Sequence, residues 1–214
     1  MTFGQKKLLP HDGALAKLAD QDPDIAKAIK IYGTPPDRSL PATFETLARS
    51  VIGQQISRSA AHSIWMRMKE ARSSSASVIV KKKPDELMLF GLSRRKSEYL
   101  IGISNEINTG RLNLLKLAQL NGQEVQKRLI ELRGVGPWTA DNFRLFALGD
   151  MNAWPDNDIA LQEGMRRLKG LDYRPDRKEM LSLGEPWRPY RGAGALMLWH
   201  IYGILVRKAS VADI

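Results

Sequence analysis

The sequence predicts an all-α protein. Two observations carry that prediction. Apolar residues recur at helical spacing in one stretch after another, from Leu15, Leu18 and Ala19 near the start to Ile159, Leu161, Met165 and Leu168 later on. Between two such stretches, Leu132-Arg133-Gly134-Val135-Gly136 brings two glycines one residue apart, which makes a tight helix hairpin rather than a strand turn. With 214 residues the chain can bury a sizeable core, as one domain or as two closely packed lobes.

Composition narrows the classes of function. Hydrophobic residues make up 43% of the chain and charged residues 26%, the balance of a water-soluble globular protein. The formal net charge of +10 points to a polyanionic partner, although a generally basic proteome gives the same excess. There is no cysteine, which excludes disulfides, cysteine-based zinc sites and a cysteine-ligated iron–sulfur cluster. The opening MTFGQKKLLPHDG holds no long apolar run, so no signal peptide, membrane span or membrane partner is expected. The expected location is the cytoplasm, or the nucleoid in a bacterium.

In chain order, residues 1–12 read as a loose basic lead-in. Helices follow from Gly13 and from Asp22-Pro23, the second running through Ile25, Ile29 and Tyr32 until Gly33-Thr34-Pro35-Pro36 ends it. Pro41 to Lys69 is amphipathic and helical, with one apolar stripe at Phe44, Leu47, Val51 and Ile52 and another at Ala60, Ile64, Trp65 and Met68. Gly53-Gln54-Gln55-Ile56 is the turn between them, and Ser57 caps the second helix. His62 belongs to a helix face or the core. Ser73 to Ser77 reads as a flexible loop and Lys81-Lys82-Lys83 as solvated surface. A helix from Pro84 to Leu89 stops at Gly91. Ser93 caps the next, with Leu100, Ile101, Ile103 and Ile107 as its buried face. Arg94, Arg95 and Lys96 are solvated charge, with phosphate contact as the alternative. Leu112–Leu120 and Glu124–Leu132 are predicted as two further helices, split by Asn121-Gly122.

Chemistry concentrates from the hairpin onward. Pro137 fits a first helical position, so the helix after the hairpin starts with bare N–H groups and a positive dipole end, which suits a phosphate. Gly-Val-Gly alone equally fits an ordinary helix–loop–helix. Four aspartates follow. Asp141 reads as an exposed acid within the second hairpin helix and Asp150 as part of a turn. Asp156 and Asp158 both stand near the start of the Ile159–Leu168 helix, where either can be an N-cap. Glu185 to Arg191 then leads into a helix from about Gly194 to Val206.

These strings resemble the helix-hairpin-helix (HhH-GPD) DNA glycosylase superfamily, in its 3-methyladenine DNA glycosylase II (AlkA-like) branch. The matches are GQQIS from Gly53, GLSRRK from Gly91 and LRGVGPWTA from Leu132. They continue with PDNDIAL from Pro155, WRPYR from Trp187 and a later Leu198-Trp199. Asp158 also follows Trp138 by the 20 residues the branch leads one to expect. Asn157 and Glu163 depart from the pattern. The resemblance spans about Leu15 to Val206.

The resemblance implies roles. Asp158, directly before the apolar helix start, is the catalytic carboxylate, while Trp138 and Trp199 line the base pocket. Gln55 fills the gap that an extruded base leaves in the minor groove. Gly134, Val135, Gly136 and Thr139 hold the DNA backbone. Main-chain oxygens of Ile130, Leu132 and Val135 coordinate a sodium or potassium ion, with no other metal or cofactor required. Arg191 holds a phosphate or docks its helix, and Trp187 packs between lobes. The implied fold has a lobe of residues 41–150 carrying the hairpin at about 124–148. A second lobe is formed by residues 1–40 and 151–214, with Asp158 at the floor of a cleft between the two. It is the compact form without an N-terminal sheet domain, acting as a monomer on duplex DNA with alkylated bases.

Position 138 separates reaction types. Bifunctional relatives carry a lysine there that attacks the sugar; an indole has no amine to do so, so a monofunctional glycosylase acting on 3-methyladenine and 7-methylguanine is expected. A non-catalytic DNA-binding module would explain the charge, Gly134 and Gly136, but not Asp158, Trp199 and Gln55 together. A bifunctional lyase with an iron–sulfur cluster fails on Trp138 and the absent cysteines, and a glycosylase of different lesion range is the remaining alternative.

Overall fold

The computed structural model describes residues 10–205, and among them every regular element is helical. These residues divide into two compact units. One is Leu40–Leu148; the other joins the described residues before Leu40 to those after Leu148.

The Leu40–Leu148 unit contains α3 (Phe44–Ile52), α4 (Arg58–Glu70), α5 (Ala76–Ile79), α6 (Pro84–Met88), α7 (Arg94–Asn108), α8 (Gly122–Ile130) and α9 (Pro137–Leu148). Most start on a side chain that satisfies the orphan N–H groups of a first turn. Thr43, Ser57 and Ser93 accept from the N–H three residues on, and Asn121 and Glu124 form a reciprocal capping box. Helix α7 is the spine, with α3, α5 and α6 packed on it, while α3 also meets α4 and α9, and α8 lies on α9. Their shared core includes Leu47, Val51, Ile52, Trp65, Met68, Leu100, Ile103 and Phe143, all within 2% of full burial. Each such side chain contributes about 1.5–3 kcal/mol through the water it sheds.

The other unit contains α1 (Pro10–Gln21), α2 (Pro23–Tyr32), α10 (Ile159–Lys169), α11 (Arg177–Gly184) and α12 (Arg191–Leu205). Helix α12 is apolar nearly all round and is accordingly buried, with α1, α2 and α10 packed on it. The α10–α12 crossing is close because Gly164 has no side chain; a Cβ there would lie 2.4 Å from Leu198 O. Trp187 is buried against Gly194 and meets Trp154 edge-on at 5.7 Å. Its indole N–H donates to Asp22 Oδ2, which also accepts from Lys169 Nζ. No helix among the described residues is long and apolar enough to cross a membrane.

Several expectations are corrected. Leu112–Leu120 is not an α-helix; only Lys116–Gln119 makes a 3₁₀ turn. Asn113 Oδ1 accepts from the N–H groups of both Leu115 and Lys116, a local alternative to helical pairing. The serine-rich stretch is not all loop, because Ser73 is buried and Ala76–Ile79 forms a helical turn packed on α7. Ala60 and Ile159 are exposed rather than core residues. Asp141 is buried rather than exposed: its Oδ1 accepts from Arg144 at 2.6 Å and from Gln126 at 3.0 Å. Trp187 finds its partners inside one unit. Helix α12 begins at Arg191, earlier than expected, and the end placed at Val206 lies outside the described residues, as does lead-in 1–9.

Candidate active site and nucleic-acid interface

The hairpin joins α8 to α9. Val135 N–H donates to Leu132 O at 3.0 Å and closes the turn. Gly134 has φ +94, and a Cβ there would sit 2.2 Å from the Tyr99 ring, so both backbone and space demand glycine. Gly136 differs: nothing lies within 4 Å of a Cβ placed there, and its φ is outside the left-handed region. The fold itself gives no reason for that glycine. Pro137 opens α9, and the indole of Trp138 is 40% exposed beside it.

Val135 is buried and points inward, as is Thr139, whose hydroxyl accepts from Gln54 Nε2 at 3.1 Å. Any DNA contact by these two therefore falls to their main chains. Ile130, Leu132 and Val135 offer carbonyl oxygens only, hard donors of the kind an alkali cation accepts. Leu132 O already accepts one hydrogen bond, which leaves a second lone-pair direction for an ion.

The turn between α3 and α4 lies in the same unit. Gln55 is exposed and has φ +58, a left-handed conformation uncommon for a residue with a side chain. Two neighbours hold it there. Lys96 Nζ donates to Ile52 O at 2.8 Å and to Gln54 O at 2.6 Å, and Gln54 Nε2 donates to Gly134 O at 3.0 Å. Lys96 is thus half-buried and committed, correcting its assignment as solvated charge. Burial lowers the pKa of its ammonium. Tyr99, against which Gly134 packs, has the guanidinium groups of Arg95 and Arg133 over its ring at 5.6 and 5.7 Å.

The other unit holds Asp158. Of the two competing aspartates it is the N-cap of α10, its Oδ1 accepting the Leu161 N–H at 2.8 Å. Asp156 instead pairs with Arg177 at 3.1 Å. Trp199, on α12, donates its indole N–H to the same Asp158 oxygen at 3.1 Å. One carboxylate oxygen is thereby fixed by a backbone and a side-chain donor. Downstream, Glu163 takes Arg166 and Arg167, and its pKa falls to about 2, with the Arg166 hydrogen bond the largest cause. Arg191 is buried and docks its helix, donating to Asn152 Oδ1 at 2.9 Å and Asn152 O at 3.2 Å.

Of the residues singled out from the sequence, the structure brings together Asp158 with Trp199, and the Gln55 turn with Gly134 and Thr139. Trp138 belongs to the unit of the hairpin, not to that of Asp158. Sequence reasoning misses the partners of Gln54 and Lys96 although both lie inside the matched strings, because a lone amide or lysine in a polar stretch gives no sign of them.

Residues 48–189 match the HhH-GPD superfamily of base excision DNA repair proteins. The chain belongs to this family. Among HhH-GPD relatives, the DNA-3-methyladenine glycosylase of Bacillus subtilis is 30% identical over 175 residues, 76% of this chain and 58% of that protein. The chain thus spans under two thirds of that relative's length. The solved 3-methyladenine DNA glycosylase of Schizosaccharomyces pombe, in complex with abasic DNA, superposes with a TM-score of 0.78 at 27% identity, covering 87% of this chain and 95% of that one. The DNA-3-methyladenine glycosidase of Bacillus halodurans gives 0.81 at 27% identity, covering 94% of each chain.

Proposed function

We propose that this HhH-GPD protein is a monofunctional DNA glycosylase that releases alkylated purines, 3-methyladenine and 7-methylguanine, from duplex DNA. The observation that supports it most is the fixed Asp158 carboxylate with the Trp199 indole donating to it. The names of its relatives point the same way.

The chemistry follows from those groups. A target nucleotide must leave the stack, at a cost of about a few kcal/mol. Minor-groove insertion by Gln55 offsets that cost, while the hairpin N–H groups hold phosphate. Main-chain oxygens of Ile130, Leu132 and Val135 would hold an alkali cation, which would add positive charge beside that phosphate. The C1′–N bond then breaks and its electron pair goes to the base. A purine alkylated on N3 or N7 is already cationic, so it leaves neutral and needs no proton donor. Positive charge grows on the sugar, and the fixed carboxylate of Asp158 stabilises it. Water then bonds to C1′ and loses its proton through Asp158 to solvent. Trp138 supplies no amine, so no covalent enzyme–sugar intermediate forms. A cationic base also gains about 0.5–2 kcal/mol against an indole face, which normal purines do not.

The test is release measured side by side on duplexes carrying 3-methyladenine, 7-methylguanine, uracil or 8-oxoguanine. The two alkylpurines are expected to be released and the other two left largely intact. Product strands stay whole until alkali is added, and borohydride traps no adduct. Preference for uracil, or a trapped adduct, contradicts the proposal.

A further inference from the structure

We propose that Lys96 and Gln54 are positioning residues that lock the exposed Gln55 turn in its left-handed form and join it to the hairpin as one rigid DNA-facing element. This rests on the proposed function in that Gln55 is taken to enter the duplex.

The geometry carries the argument. A left-handed backbone is unfavourable at a residue with a Cβ and persists only where its surroundings over-determine it. At Gln55, φ +58, the peptide immediately before it is pinned by Lys96 through Gln54 O, and the last carbonyl of α3 is pinned by the same ammonium through Ile52 O. One cation on the first turn of α7 thus bridges both ends of the bend. The Gln54 side chain then crosses to Gly134 O and Thr139 Oγ1, more than 75 positions away in sequence, at 3.0 and 3.1 Å. Helix α7 also meets the hairpin directly, where Tyr99 fills the space that only a glycine at 134 leaves open. Turn and hairpin are therefore both referenced to α7. Charge–dipole hydrogen bonds from a half-buried ammonium are among the stronger ones available for this. A side chain that must push into stacked bases gains from such backing, because any give in the turn is lost as insertion.

The test compares wild type with Lys96→Met and Gln54→Met by three readouts. These are fluorescence of 2-aminopurine opposite an abasic-site analogue, single-turnover excision of 3-methyladenine, and affinity for undamaged duplex. The 2-aminopurine signal reports unstacking, which loss of fold or of phosphate contact alone does not single out. Both variants are expected to lose about tenfold in unstacking amplitude and in excision rate, while undamaged-duplex affinity stays within about threefold. Unchanged unstacking, or an equal loss in undamaged-duplex affinity, overturns the proposal. If Lys96→Met fails to fold, Gln54→Met carries the comparison alone. Wild type that unstacks but excises nothing refutes the proposed activity and still leaves the brace to be decided by unstacking.

Discussion

In the proposed function Trp199 has two roles that one substitution can separate: its ring faces the base, and its N–H donates to Asp158 Oδ1. Trp199→Phe keeps an aromatic face and deletes the donor; Trp199→Ala deletes both. A hydrogen bond to a charged acceptor is worth about 1.5–3 kcal/mol, so Phe is expected to slow excision of 3-methyladenine by roughly tenfold to a hundredfold, and Ala further. Single-turnover rates on a methylated duplex check this. Equal rates for Phe and wild type assign the ring alone. At the same scale the sequence was partly legible. Ser57 and Ser93 announce themselves as caps, because short oxygen side chains before apolar periodicity have one favourable use, whereas Asp156 and Asp158 fit the cap of α10 equally well until the structure selects Asp158. Asp141 and Lys96 do not: their burial is decided by Arg144, Gln126, Ile52 and Gln54, and no residue type signals a partner in advance.

Among the elements, the hairpin offers a paired test in its two glycines. Gly134→Ala puts a Cβ into the Tyr99 ring at a positive φ, so it is expected to destabilise the protein by about 1–3 kcal/mol or more. Gly136→Ala meets nothing within 4 Å, so its melting temperature should stay near wild type; DNA affinity is expected to fall, since the proposed function brings a phosphate to that backbone. Thermal melting and duplex titration of both variants decide it; a Gly136→Ala protein that binds normally removes the phosphate from that position. The helices around the hairpin were legible because apolar periodicity agrees with the break at Asn121-Gly122 and with Pro137 at a first helical position. Leu112–Leu120 was not: its apolar spacing looks helical, but Leu115 and Leu120 are exposed and Asn113 diverts the backbone.

For the whole molecule, charge bears on the proposed duplex partner and on stability. With 33 basic against 23 acidic residues, duplex affinity is expected to fall steeply with salt, by a slope of about 0.9 per phosphate neutralised. Stability has its own pH dependence through the Asp22–Lys169 pair. Burial opposes the Asp22 charge, but hydrogen bonds from Lys169 and Trp187 outweigh it and lower its pKa. Its contribution is present above the ordinary carboxylate range and is lost as pH falls through the lowered native value. Burial likewise opposes the Lys169 charge, and Asp22 and Asp24 overcome it and raise that pKa. That share is complete below the ordinary lysine value and is lost only as pH rises through the raised one. Asp22→Asn should therefore lower stability by about 1–3 kcal/mol at neutral pH and flatten the acid limb. Melting from pH 3 to 8 follows both; an unchanged acid limb assigns it to other carboxylates, such as Glu163. At this scale the all-α class was legible from periodicity, whereas the packing of α12 on α10 depends on Gly164, whose role appears only in three dimensions.

In the proposed function the fixed carboxylate of Asp158 stabilises the sugar cation as the glycosidic bond breaks. This central claim is tested most directly by single-turnover release of 3-methyladenine from a methylated duplex by wild type, Asp158→Asn and Asp156→Asn. Asn at 158 keeps the shape and an acceptor for the Leu161 and Trp199 N–H groups, but not the charge. The expected result is DNA binding near wild type with excision lower by at least about 10²–10³-fold, the scale of losing one transition-state charge stabiliser. Asp156→Asn should excise nearly normally. Near-normal release by Asp158→Asn, with Asp156→Asn inactive, would contradict the account and move the catalyst to Asp156.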